Sequence, residues 1–246
     1  MSEFNKIILS MISGFSTLIG FLFIFYKQDG KKILTKALAF ASGVMITLCV
    51  IDLIPTSITF LSKKYDNKEI VIYNIIFFLI GYYFSYFLSS YLIENNKLYK
   101  VGIISTISIT LHNVLEGIAT YIISTVNIKL GIMFTLVVIL HNIPEGISIS
   151  FPIYYSTKNK RKAFIYTFIS GVSEVLGSVL ACIFLHKYIS DLFIGILFSI
   201  ISGIMTYLGI NELFKTSYMS NKKLCITYSF LGSIFILIVK IFQNKI

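Results

Sequence analysis

The sequence has little charge, no tryptophan, three prolines and three cysteines among its 246 residues. Asp, Glu, Lys and Arg together make up 13% of the chain, against about 25% in soluble domains. With a mean hydropathy of +0.85, this scarcity of charge excludes an ordinary soluble domain. No Cys-x-x-Cys spacing occurs, which argues against a disulfide framework or a thiolate metal cluster. The cysteines stand singly in apolar runs, at Cys49, Cys182 and Cys225.

The sequence does contain eight apolar segments long enough to cross a bilayer, which takes about 20 residues each. The segments continue apolar to helix length instead of alternating with polar residues, so they predict helices and not β-barrel strands. We therefore expect an all-α integral membrane protein with one transmembrane domain over residues 1–246. The predicted spans are 4–26, 36–60, 71–93, 101–125, 130–153, 164–186, 192–214 and 224–242.

The net charge of +10 comes from 21 Lys and Arg residues that lie mostly in the connectors. Cations there are expected to meet lipid headgroups, so the lipid bilayer is a predicted partner and nucleic acid is not. The loops after the first, third, fifth and seventh spans carry 13 of the 21 cations. By the positive-inside rule these loops are cytoplasmic. This predicts a multi-pass plasma (inner) membrane protein with both termini extracytoplasmic.

Two internal repeats relate antiparallel spans. The segment 111–118 (LHNVLEGI) recurs 29 positions later as 140–147 (LHNIPEGI), in the next span. The tetrad 42–45 (SGVM) recurs 160 positions later as 202–205 (SGIM), and the same offset relates Asp52 to Glu212. Both repeats imply one pseudo-two-fold axis in the membrane plane. We therefore predict eight helices in a 3+2+3 inverted-repeat bundle.

Five acidic residues fall inside the apolar spans. On insertion scales each costs about 2.5–3.5 kcal/mol at the bilayer centre, so each needs a partner, water or a metal ion. Two of the three histidines share spans with them, and both His-x-x-x-Glu pairs fall near the middle of their spans. The five acids are Asp52, Glu116, Glu145, Glu174 and Glu212.

Helical geometry gives the repeated motif a chemical meaning. At about 100° per residue, Glu116 lies angularly between His112 and Asn113. Glu145 lies in the same way between His141 and Asn142. If the two helices face each other, their glutamates could bridge two ions, one on the histidine side and one on the asparagine side. Hydrogen bonds between packed helices are the alternative interpretation.

The remaining polar positions leave more alternatives open. Met45, Cys49 and Asp52 share one helix face, where Met45 is either a ligand or core filler. Asp52 and Glu212 lie near opposite span ends, where each is either a pathway residue or a solvated cap. Glu174 could pair with a neighbouring Ser or Lys.

These motifs together resemble the ZIP (Zrt/Irt-like) family of divalent metal transporters over essentially the whole chain. The motifs are 112–117 (HNVLEG), 141–146 (HNIPEG), 174–177 (EVLG) and 42–45 (SGVM). The resemblance implies a first metal site from His112, Glu116, Glu145 and Met45. It implies a second site from Asn113, Asn142 and Glu174, bridged by the same two glutamates. Asp52 would line the entrance, and Asn211 and Glu212 the exit. Some zinc-selective members carry Asp where this chain has Asn142.

The sequence therefore predicts a transporter that carries a divalent metal toward the cytoplasm through a midplane site of one or two ions. Zinc is the expected cargo, with iron, manganese, cobalt and cadmium as alternatives. No catalytic cofactor is expected, and we predict that the protein is not an enzyme. A membrane-embedded metalloenzyme lacks its motif here, since zinc proteases need His-Glu-x-x-His. A metal sensor is the other alternative, and a homodimer is one oligomeric state that the sequence leaves open.

Overall fold

The computed structural model describes residues 3–26, 30–92, 94–185 and 190–245. Eight helices in these ranges are long and apolar enough to cross a membrane, and no strand occurs in them. The all-α prediction is therefore confirmed. The end of the sixth predicted span, at His186, lies outside the described residues. The helices are α1 Glu3–Phe25, α2 Gly30–Leu61, α3 Asn67–Tyr91, α4 Lys97–Val126, α5 Ile128–Thr157, α6 Lys160–Phe184, α7 Asp191–Ser220 and α8 Lys222–Lys245.

Every helix begins before the apolar run that predicted it, and α2, α3, α4 and α6 do so by four to six residues. The reason is polar capping, since side-chain oxygens accept hydrogen bonds from the free backbone N–H groups of the first turn. Asp66 and Glu69 form a capping box at the start of α3. Asn127 caps α5 and is the only residue between α4 and α5. The helices α4, α6 and α7 are capped by Asn96, Asn159 and Ser190.

Three helices widen into π-helical turns within the described residues, and the turns of α2 and α7 lie at corresponding positions. In α2 the wide segment is Cys49–Leu53, and in α7 it is Leu208–Phe214. The offset of 160 carries Cys49 to position 209 and Leu53 to position 213, both inside the second segment. Asp52 and Glu212 lie in these segments. A π turn rotates the side chains that follow it and is frequent at functional sites.

Glycines allow neighbouring helix backbones to touch at corresponding places. A Cβ atom on Gly43 of α2 would overlap the carbonyl oxygen of Ser229 in α8, and one on Gly203 of α7 would overlap that of Phe78 in α3. The two contacts correspond by constant offsets, since Gly203 lies 160 positions after Gly43 and Phe78 lies 151 positions before Ser229. The same arithmetic relates two further contacts, Gly232 with Phe40 and Gly81 with Ile200.

The central helices α4 and α5 are held in the same manner. Gly117 of α4 abuts the backbone of Glu174 in α6, and Gly146 of α5 abuts that of Thr17 in α1. These two contacts also correspond by constant offsets, since Gly146 lies 29 positions after Gly117 and Thr17 lies 157 positions before Glu174. Small residues at these crossings bring polar side chains of adjacent helices within hydrogen-bond reach. The full 3+2+3 inverted repeat stays a prediction.

The helix ends define two faces of the bundle. One face, here the Asp52 face, contains the starts of α1, α5 and α7 and the ends of α2, α4 and α8. The other, the Glu212 face, contains the opposite ends, as the contacts of Lys160 with Phe25 and of Thr35 with Ser220 indicate.

We predict that the glycine crossings limit stability. Gly203→Ala should destabilise the protein by about 1–3 kcal/mol, since the added methyl meets a backbone carbonyl that cannot move alone. Gly209→Ala in the same helix is the matched control, because its nearest new neighbour is the Ile46 side chain at 2.9 Å. Thermal unfolding in detergent measures both. Equal melting temperatures for the two variants would contradict the prediction.

Candidate metal centre

The two His-x-x-x-Glu motifs meet between α4 and α5. Residues four apart share a helix face, so His112 with Glu116, and His141 with Glu145, project together. The two helices pack against each other along their length. All four side chains are buried, with at most 5% of any residue exposed. The predicted facing of the two motifs is therefore observed.

The imidazoles and carboxylates lie at distances suited to a shared ion. Glu116 Oε1 lies 3.1 Å from His112 Nε2 and 2.5 Å from His141 Nε2. His112 Nε2 lies 3.5 Å from Glu145 Oε1. One ligand atom from each of His112, Glu116 and His141 falls within 4.8 Å of the others. Ligands around a tetrahedral zinc stand about 3.3 Å apart, given bonds of about 2.0–2.1 Å. The hydrogen bond between His141 and Glu116 would have to lengthen to admit the ion.

Several buried oxygens at this place have no hydrogen-bond partner. They are Oε2 of Glu116 and both carboxylate oxygens of Glu145, a residue only 1% exposed. An unsatisfied buried acceptor costs about 1–3 kcal/mol, and more when it is charged. A bound cation would satisfy all three oxygens, so the chemistry of these residues fits a divalent metal.

The two asparagines next to the histidines each donate a hydrogen bond to a serine backbone carbonyl. Asn113 Nδ2 donates to the Ser170 carbonyl of α6 at 2.9 Å, and Asn142 Nδ2 donates to the Ser13 carbonyl of α1 at 3.0 Å. With each amide nitrogen committed, Oδ1 of both side chains is buried and unpartnered. Amide oxygens suit hard or borderline cations. The pair can therefore supply two further metal ligands.

Glu174 lies beside this asparagine pair and is already hydrogen-bonded. The Ser13 hydroxyl donates to Oε1, and Asn142 Nδ2 donates to Oε2 at 2.9 Å. Pairing with a neighbouring serine, which the sequence left open, is therefore present. A metal at the second site would have to take over at least one of these bonds, and its ligation by Glu174 stays a prediction.

Met45 lies fully buried in the apolar core near the two motifs. Its cluster includes Ile109 of α4 and Ile149 of α5, one turn from His112 and Glu145 respectively. This placement is compatible with core filler and with a ligand that approaches the ion. A metal-binding role for Met45 therefore stays a prediction.

The predicted pathway residues lie on opposite faces with different partners. Asp52 forms an ion pair with Lys240 of α8. Glu212 Oε1 accepts a hydrogen bond from Ser89 of α3 at 2.8 Å, and Asn211 Nδ2 donates to the Tyr82 hydroxyl at 2.9 Å. Each carboxylate is thus paired within the protein. Their entrance and exit roles stay predictions.

A cavity connects the metal centre to the Asp52 face. Its volume is about 220 Å³, and its wall includes Asp52 and Lys240 at one end and Glu116 and His141 at the other. Toward the Glu212 face the centre is covered by buried apolar side chains of α2, α4 and α5. These are Leu38, Val101, Ile104, Phe151 and Ile153. The described conformation gives access to the centre from the Asp52 face.

Three residues of this region were missed from the sequence. Ser13 and Ser170 fix the asparagines, and Lys240 pairs with Asp52. A signal for the serines existed, because Ser13-Gly14-x-Ser16 recurs 157 positions later as Ser170-Gly171-x-Ser173. A signal for Lys240 was its position inside the last apolar run, where a cation needs a partner.

Comparison with known proteins places the chain in a family. The family model described as ZIP Zinc transporter matches residues 93–240, which is more than half of the chain. The chain belongs to the ZIP family. A ZIP protein of Streptococcus mutans, named Zinc transporter ZupT, is 33% identical over 255 residues, covering 97% of both chains. A protein of the same name from Campylobacter jejuni is 32% identical, and the match covers 89% of both chains. Another from Chlorobaculum parvum is 33% identical, and the match covers 85% of this chain and 86% of the relative.

Membership of the ZIP family confirms two of the expectations drawn from the motifs. The resemblance itself is confirmed, and so is the expectation that the protein is not an enzyme, because this family consists of transporters. With its eight apolar helices, the chain is a multi-pass membrane protein. None of the relatives' names assigns a role to a particular residue of this chain.

We predict that His141→Ala weakens zinc binding by at least about tenfold, because it removes a nitrogen ligand from the cluster. Isothermal titration of the purified protein in detergent measures the affinity. Thr135→Ala is the matched control, since Thr135 is buried in the same helix and its hydroxyl donates to the Gly131 carbonyl one turn earlier. Wild-type affinity in His141→Ala would remove this residue from the centre.

Proposed function

We propose that this protein carries Zn²⁺ across the plasma membrane into the cytoplasm through the centre between α4 and α5. The observation that carries the proposal is the set of buried carboxylate oxygens of Glu116 and Glu145 that lack partners beside two imidazoles. Three relatives bear the name zinc transporter, which supports the same cargo.

The donor set favours zinc among the divalent metals. Imidazole nitrogen with carboxylate oxygen is a usual ligand combination for Zn²⁺. Fe²⁺, Mn²⁺ and Co²⁺ accept the same ligands, and Cd²⁺ resembles zinc in charge and geometry. We therefore expect a transporter that prefers zinc and admits these ions at higher concentrations.

A second ion next to the first is part of the proposal. The unpartnered Oδ1 atoms of Asn113 and Asn142 would hold it, with Glu174 as a further ligand. Glu116 and Glu145 each have two carboxylate oxygens and would bridge the ions. Because the asparagines carry no charge, this second site should bind metal more weakly than the first.

The direction of transport follows from the proposed sidedness. The connectors on the Glu212 face carry most of the cations, which favours a cytoplasmic location for that face. The Asp52 face and both termini would then be extracytoplasmic, and the cavity on that face would admit metal from outside. Release would require an opening toward Glu212 through the apolar cover. The corresponding glycine contacts support two related halves that rearrange in this way.

We predict that Glu145→Ala abolishes zinc flux into proteoliposomes that contain only this protein, because it removes two of the unpartnered carboxylate oxygens. A zinc-sensitive dye inside the vesicles reports the flux. Glu94→Gln is the matched control, an acid in the connector between α3 and α4, and should retain wild-type flux. A wild-type protein without zinc flux, or full flux in Glu145→Ala, would refute the proposed function.

We predict that Asn113→Ala lowers the zinc stoichiometry from two ions to one, because it removes an oxygen ligand of the second site. Elemental analysis after equilibrium dialysis measures the stoichiometry. The matched control is Ser170→Ala, which removes a hydroxyl 3.3 Å from Asn113 but retains the backbone carbonyl that orients the amide. A wild-type protein that saturates with one ion would refute the binuclear site without affecting zinc transport.

A further inference from the structure

An ion pair lies on the wall of the cavity that leads to the metal centre. Lys240 of α8 reaches Asp52 in the π-helical turn of α2, and both residues line the cavity. Their side chains are 26% and 23% exposed. Glu116 and His141 line the same cavity further in. A cation that enters here passes the Asp52 carboxylate before it reaches the centre.

The ammonium group occupies the place that an incoming cation would take. A carboxylate in a narrow cavity with apolar walls attracts cations strongly, because the low dielectric constant concentrates its field. Lys240 Nζ is in direct contact with Asp52 Oδ1, so the pair has no net charge. A metal ion that binds Asp52 therefore has to displace the ammonium group first.

On the other face the position that corresponds to Lys240 is uncharged, although Lys100 and Lys215 lie within electrostatic range of Glu212. The offsets that relate the glycine contacts also relate these residues. Glu212 lies 160 positions after Asp52, and Ser89 lies 151 positions before Lys240. Ser89 does contact Glu212, with its hydroxyl donating at 2.8 Å. The two carboxylates thus have equivalent partners in the fold, and the partners differ by one positive charge. Close packing does not require this charge, because the serine meets the same geometric demand at the other face.

We propose that Lys240 is a built-in counter-ion of the mouth carboxylate, and that each divalent cation displaces it from Asp52 on the way to the centre. This inference rests on the proposed transport function. The flexible four-carbon stem of Lys240 allows the ammonium group to move toward water when the metal arrives. Lys240 thereby weakens metal binding at the mouth, so that the ion is passed on to Glu116 and His141 instead of being retained at Asp52.

The main competing explanation is that the ion pair only ties α8 to α2. Such a tie contributes little when its partners are about a quarter exposed, and the Gly43 and Gly232 contacts already hold these helices together. The two explanations differ in their consequences. If the ion pair is only a tie, any variant that breaks it should lower stability. If Lys240 is a counter-ion, removing Lys240 should raise the apparent metal affinity and removing Asp52 should lower it.

The test is a double-mutant cycle on zinc uptake by proteoliposomes. Lys240→Met keeps an unbranched side chain of similar length and removes the charge, so the KM for zinc should fall by about threefold to tenfold. Asp52→Asn leaves an ammonium group without its partner in the cation path, so its KM should rise. Adding Lys240→Met to Asp52→Asn should restore most of the lost uptake. Lys240→Arg keeps the charge and should resemble the wild type.

Lys63→Met is the matched control, since Lys63 pairs with Asp191 at 2.8 Å on the same face and both are about half exposed. Lys63→Met removes one positive charge on the same face that does not contact Asp52. The KM for zinc should therefore change by less than about twofold. An unchanged or raised KM in Lys240→Met would overturn the proposal. So would equal uptake by Asp52→Asn and by the double variant, a comparison that stands even if Lys240→Met alone fails to insert.

Failure of this inference is distinguishable from failure of the proposed function. If wild-type protein transports zinc and Glu145→Ala does not, the transport function stands whatever Lys240→Met does. If the wild type transports no zinc, titration calorimetry still tests the counter-ion directly. Lys240→Met should then bind one more zinc ion, or the mouth ion more tightly, than the wild type, and identical titrations would reject the role of Lys240.

Discussion

The structure depends on the cost of holding carboxylates among apolar helices. A charged group in the bilayer costs several kcal/mol unless it is paired, solvated or bound to a cation. Asp52 is paired with Lys240, and Glu212 with Ser89. Glu174 accepts hydrogen bonds from Ser13 and Asn142. Both oxygens of Glu145 and one oxygen of Glu116 have no hydrogen-bond partner, and His112 Nε2 lies 3.5 Å from Glu145 Oε1. The bundle thus gathers two carboxylates and two imidazoles at one buried place, where a divalent cation in transit would bind.

This arrangement requires helices that approach closely enough for short polar side chains to meet. Glycine supplies that approach where α1 crosses α5, α4 crosses α6, α2 crosses α8 and α3 crosses α7, and serine carbonyls then hold the asparagines. Because the serines of α1 and α6 recur at a constant offset, a corresponding backbone carbonyl holds the amide nitrogen of each asparagine. Fixed amide oxygens give up little conformational entropy when they bind an ion, which strengthens the binding.

Much of the fold and of the centre was predictable, because hydropathy fixes the spans and a four-residue spacing fixes a helix face. The eight helices follow from the first rule, and the second places His112 with Glu116 and His141 with Glu145 on one face of each helix. That these two faces meet was a condition that the spacing alone did not settle. The observed helices begin at earlier residues than predicted, because capping by residues such as Asp66 extends a helix beyond its apolar run. The Lys240 ion pair and the hydrogen bonds of Glu174 were not predictable from periodicity, because they join helices that are distant in sequence. The repeat offset of 157 contained the serine positions, which a search for weaker repeats would have found.

The central claim is that a metal ion rests between the two His-x-x-x-Glu motifs. Diffraction data collected on either side of the zinc absorption edge, from crystals of the protein grown with zinc, test it most directly. The account predicts an anomalous difference peak within bonding distance, about 2.0–2.2 Å, of imidazole nitrogens and carboxylate oxygens of this cluster. A fully occupied zinc peak elsewhere in the protein, with no anomalous signal between α4 and α5, would contradict it.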